Sequence, residues 1–103
     1  MNRLETLREM LSQDPGNTFA RYGIAMEFAN QGRLEEAVAE YRALLERDPN
    51  YAAAYYHGGQ ALERLGQTGE ARDWYERGIQ VTGRTGDAHT QSELQAALDL
   101  LPI

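Results

Sequence analysis

Apolar residues along this chain recur at the spacing of one face of a helix, in six successive stretches. Leu4, Leu7, Met10 and Leu11 form the opening stripe. The next stretch follows Asn17, whose side-chain oxygen can cap free backbone N–H groups, and runs through Phe28. Gly32 then supplies the left-handed cap that a β-carbon disfavours. A third helix is expected over Leu34–Arg47, with Ala37, Val38, Tyr41, Leu44 and Leu45 on one side. Pro49 ends it, because proline disfavours helical backbone in the residue before it. Two more helices are expected near 51–65 and 68–82. Leu94, Ala97, Leu98 and Leu101 stripe a closing helix that begins near Asp87 and stops at Pro102. No strand pattern, linker or low-complexity stretch interrupts the series, so the expected fold class is all-α with six helices.

The stretches are not independent of one another. Asp14-Pro15-Gly16-Asn17 returns 34 residues later as Asp48-Pro49-Asn50-Tyr51. The same offset relates Phe28 to Leu62, Gly32 to Gly66, Glu36 to Glu70, Ala37 to Ala71 and Tyr41 to Tyr75. One further step reaches Gly83, read as a third break between helices. A fixed period of this length is the mark of a stacked array of helix pairs.

These residues resemble the tetratricopeptide repeat family. The resemblance covers two full repeats, 17–49 and 51–83, within a single domain of residues 1–103. Residues 1–14 are similar to the second helix of a preceding repeat. Residues 86–101 are similar to the capping helix that follows the last one. Ala25 and Gly59 fall where the family keeps a small residue so that paired helices approach, with Ala37 and Ala71 as their partners. Three positions depart from the family pattern: Arg21 where an early aromatic is common, Gly58 for a leucine-like residue, and Gly83 where the other breaks carry proline. The fold the resemblance implies is a right-handed superhelix of antiparallel helix pairs, a tetratricopeptide-like α-solenoid.

The resemblance also implies that the first helix of each repeat lines a concave, partner-binding face. On that face it places Phe19, Tyr22, Met26, Ala29 and Asn30 from the first repeat. The second contributes Ala53, Tyr56, Gln60 and Glu63, and the closing helix Thr90 and Leu94; Asn30 and Arg64 are expected to be solvated, or else to hydrogen-bond a peptide. The partner-binding set is therefore Phe19, Tyr22, Met26, Asn30, Tyr56, Gln60, Glu63 and Leu94. The alternative for Phe19, Tyr22 and Met26 is that they cover the opening helix and are core. The family's best-known peptide binders clamp a C-terminal carboxylate with lysine, arginine and asparagine. Here Tyr22, Met26, Tyr56 and Gln60 occupy those places, which argues against the clamp.

Composition narrows the function further. The net charge is −6 and all ten basic residues are arginines interleaved with acids, a poor basis for neutralising phosphates, so no nucleic-acid partner is expected. There is no cysteine, which removes disulfides and thiolate ligands and fits a cytoplasmic protein. No run approaches a membrane span, and no membrane association or secretory leader is expected. His57 and His89 lie outside any metal-binding spacing, and His57 is expected to face an outer surface; an enzyme built on either is the remote reading. Glu35 and Glu36 open a helix, where carboxylates favour the dipole. No cofactor and no metal is implied. The apolar tail Leu100-Leu101-Pro102-Ile103 is expected to fold back, or else to contact another copy. The function expected is protein–protein interaction with a peptide or helix in the concave groove. The alternative is a self-assembling, homo-oligomeric scaffold subunit.

Overall fold

The structure is a computed structural model and describes residues 2–102. It consists of six helices: α1 Arg3–Gln13, α2 Thr18–Asn30, α3 Leu34–Arg47, α4 Ala52–Arg64, α5 Thr68–Thr85 and α6 Ala88–Leu100. Each helix packs on its neighbours in sequence, and α4 also meets α2 and α6 across one face. The helices therefore stack as a curved row of antiparallel pairs, the expected all-α repeat.

Local chemistry sets the helix ends. Asn17 Oδ1 accepts from the Ala20 N–H at 3.0 Å, as expected, and Asn2 and Asp87 cap α1 and α6 in the same way. The α2–α3 connection turns through Gly32 at φ +78°, which lets the Arg33 N–H return to the Phe28 carbonyl at 2.8 Å. Gly66 repeats this turn between α4 and α5, with Gln67 N–H donating to the Leu62 carbonyl at 2.9 Å.

The third break is elsewhere than expected. Gly83 lies inside α5, which continues to Thr85; the left-handed residue is Gly86, at φ +79°. Glycine can remain helical where Pro15 and Pro49 cannot support the residue before them, so nothing stops α5 at the old period. The N-caps of α2 and α4, Asn17 and Tyr51, are 34 residues apart, but Asp87, the N-cap of α6, is 36 beyond Tyr51. The closing helix is thus shifted by two positions against the repeat.

The core runs the length of the stack. Tyr41, Tyr55, Tyr75, Leu44, Leu62, Leu94 and Thr82 are its largest fully buried side chains. Close packing depends on two adjacent glycines in α4. A β-carbon on Gly58 would clash with the Trp74 ring, and one on Gly59 with the Tyr75 ring. Filling either site would overpack α4 against α5, at about 1–3 kcal/mol.

The apolar tail divides. Leu101 is buried, and the Pro102 carbonyl accepts from Arg72 at 3.3 Å, so the chain folds back onto α5. Leu100 points out at 83% exposure. Ile103 lies outside the described residues.

Candidate concave interface

The face formed by α2, α4 and α6 carries most of the residues expected there. Its centre is an aromatic cluster. The Tyr22 ring lies 5.2 Å from Tyr51, 6.2 Å from Tyr41 and 5.9 Å from His57, and the His57 ring meets Tyr56 edge-on at 5.1 Å. Met26 sits beneath this group, its sulfur accepting from the Tyr41 hydroxyl at 3.0 Å. Tyr22 and Met26 therefore look towards α3 and α4, away from α1. The opening helix is seated instead on Gly23, which Leu7 covers, with Arg8 stacking on the Phe28 ring at 5.6 Å. Phe19 is 64% exposed.

Among the described residues, two clefts on this face lie between its helices, and a more open one lies over Gln60, Glu63 and Arg64 of α4. One, of about 140 Å³, lies between α2 and α4 and is lined by Met26, Ala29, Asn30, His57, Gln60 and Arg64 among others. The other, of about 390 Å³, lies between α4 and α6; Tyr56, Gln60 and Glu63 form one wall and Glu93, Ala96, Ala97 and Leu100 the opposite one. Asn30 and Gln60 are exposed at their rims. Arg64 donates to the Ala29 carbonyl at 3.5 Å across the first cleft. Glu63 is half-buried and accepts a hydrogen bond from the Tyr75 hydroxyl.

The environment shifts several titrating groups. Burial, with a smaller contribution from neighbouring tyrosine oxygens, raises Tyr22 and lifts Tyr41 well above the ordinary phenol value. Tyr75 is also raised, first by burial and then by its bond to the Glu63 carboxylate. Burial lowers His57, opposed in part by the nearby Glu93 charge. The imidazole at the centre of the face is therefore held in its neutral form.

Two expected placements change. Leu94 is fully buried and touches no groove; with α6 shifted by two residues, it fills the layer of Ile24 and Gly58 and packs against Gly78. The groove positions of α6 pass instead to Glu93, Ala96, Ala97 and Leu100. His57 does not face an outer surface but lines the first cleft. The angle that turns it from Tyr55 and Leu62 points it at α2. Reading the 36-residue spacing from Tyr51 to Asp87 would have found the first change; nothing local marks the second, because Tyr22 of α2 reaches His57 only through packing. His89 is exposed at the start of α6, 3.6 Å from Glu93. Among the described residues, no three His, Asp or Glu side chains gather as a metal-binding set, and no helix is long and apolar enough to cross a membrane.

Comparison with known proteins agrees with this architecture. The sequence profile of the tetratricopeptide repeat family matches residues 22–88. The solution structure of a tetratricopeptide repeat domain protein from Salinibacter ruber aligns with a TM-score of 0.77 at 40% identity, over 82% of this chain and 86% of that one. YrrB, described as a tetratricopeptide repeat protein with an unusual peptide-binding site, aligns with a TM-score of 0.82 at 26% identity, over 94% of this chain and 47% of that one. The TPR repeat-containing thioredoxin TTL4 of Arabidopsis thaliana is 36% identical over 85 residues; these are 82% of this chain but 11% of that protein, so the chain spans about a tenth of that relative.

Proposed function

This chain belongs to the tetratricopeptide repeat family, and on that premise we propose that it is a protein-interaction module whose concave face takes a peptide or helix of a partner protein. One observation carries the reading: Tyr22, Met26, Tyr56 and His57 form a half-buried, partly apolar surface flanked by two clefts. Rigid aromatic side chains offer a large contact area at low entropic cost, and methionine adapts to irregular partners. YrrB, similar along nearly the whole chain, is itself described by a peptide-binding site. The face has no lysine and only Arg64 at its first cleft, so contacts there rest on rings, hydroxyls and amides rather than on a clamp for a carboxylate.

The test is affinity capture from the native cell, read by mass spectrometry. Capture by the unaltered chain is compared with capture by Tyr56→Ala and by Gln60→Trp. The second substitution places a bulky ring between the clefts at an exposed position, where folding tolerates it. Both variants should keep their helical circular dichroism and lose the same captured proteins. Undiminished capture by both would assign binding to another surface. Light scattering over a wide concentration range separates the self-assembling alternative, because a chain that stays monomeric has no copy of itself in the groove.

A further inference from the structure

The two clefts differ in charge. The one between α2 and α4 holds Arg64, whose guanidinium reaches the Ala29 carbonyl, and the neutral-held His57. The one between α4 and α6 holds two carboxylates, Glu63 and Glu93, and among the described residues no arginine or histidine lines it. Glu63 accepts from the Tyr75 hydroxyl, a donor that carries no positive charge. Glu93 faces His89 at 3.6 Å, a partner charged only when protonated. The rest of the lining is mostly apolar: the Tyr56 ring, Ala96, Ala97 and the 83% exposed Leu100. At about 390 Å³ the space far exceeds the ~30 Å³ of one water, so it accommodates a long side chain.

Apolar walls with carboxylates beside them complement one kind of group. A lysine or arginine lays its methylenes on apolar surface and keeps its charged head against the acids, with the Tyr56 ring adding a cation–π contact. The chain's net charge of −6 attracts such a partner at long range as well. Resting on the reading of the concave face as a partner groove, we infer that its occupant is a basic, amphipathic segment of a partner protein. Its apolar side chains lie on Tyr22, Met26 and Tyr56, and one lysine or arginine enters the α4–α6 cleft between Glu63 and Glu93.

A random dodecapeptide library displayed on phage tests this, panned on the whole folded chain at about pH 8, above the ordinary histidine range. Selected sequences should combine aromatic or aliphatic residues with a recurring lysine or arginine. Synthetic copies should bind less tightly as salt rises. Glu93→Lys, at an exposed position, should weaken them by at least about tenfold, because it sets like charges against each other. Glu93→Gln should weaken them less, and replacing the basic residue of the peptide by glutamine should remove the difference between these variants and the parent. Peptides that lack the basic residue, or that Glu93→Lys leaves unweakened, overturn the inference while sparing the groove, provided that Gln60→Trp still blocks them. Peptides indifferent to Gln60→Trp, or no selected sequence at all, overturn both.

Discussion

The two repeats share a backbone and a period but are held together by different means. In the first, Arg21 of α2 pairs with Glu40 of α3 at 3.1 Å, and Ile24 fills the adjoining layer. In the second, the same positions carry Tyr55, Trp74 and Gly58: two buried aromatics, with a glycine that makes room for the indole. The tyrosines at the shared position diverge as well, Tyr41 donating to a methionine sulfur and Tyr75 to a carboxylate. A repeat thus prescribes where helices cross and leaves open which side chains fill the crossing, provided that volume and hydrogen bonding are satisfied together.

Exchanging parts between repeats breaks the comparison most severely. Gly58→Ile imports the first-repeat residue under Trp74 and should cost about 3 kcal/mol, seen as a lower urea midpoint. Adding Trp74→Glu, so that both first-repeat residues are present, should recover part of the overpacking loss. An unchanged midpoint for Gly58→Ile would refute the packing account. The tyrosines should separate next. Tyr75→Phe leaves the half-buried Glu63 carboxylate without its phenol donor, for a loss of about 1.5–3 kcal/mol. Tyr41→Phe gives up only a sulfur acceptor and should cost less than ~1 kcal/mol. Equal losses would show that the two acceptors are energetically alike. Arg21→Met, which removes a partly exposed ion pair but keeps the stem, should change stability by about 1 kcal/mol or less.

Acid should act through the interface between the repeats. His57 binds its proton less readily when folded, so the unfolded chain takes up more protons once the pH falls below the ordinary histidine value of about 6.5. The stability associated with keeping it neutral is present above that pH and is lost progressively below it, levelling off under the lowered folded value. His57→Gln should flatten that part of the stability–pH curve, measured by urea denaturation at a series of pH values. A slope unaltered by the substitution would assign it to other groups.

Much of the fold was legible because its determinants are local or periodic. Asn17, Gly32, Pro49 and Gly66 mark their ends by their own backbone chemistry, and Ala37, Tyr41, Ala71 and Tyr75 are picked out by the 34-residue phase. Gly83 misled because glycine permits a helix to end without requiring it. That one permissive residue moved α6 by two positions, and Leu94 with it from the expected groove to the core. Met26, Tyr56 and Gln60, on unshifted helices, line the clefts between α2, α4 and α6.

The sequence by itself determined the helices and their pairing, since periodicity and capping act within a few residues or at a constant offset. Tertiary structure alone decided the register of the closing helix, the turning of His57 into the α2–α4 cleft, and the meeting of Glu63 with Glu93 across the α4–α6 cleft. These depend on how far one helix runs before the next begins and on which rings pack between them, and both are settled only when the whole stack closes on its core.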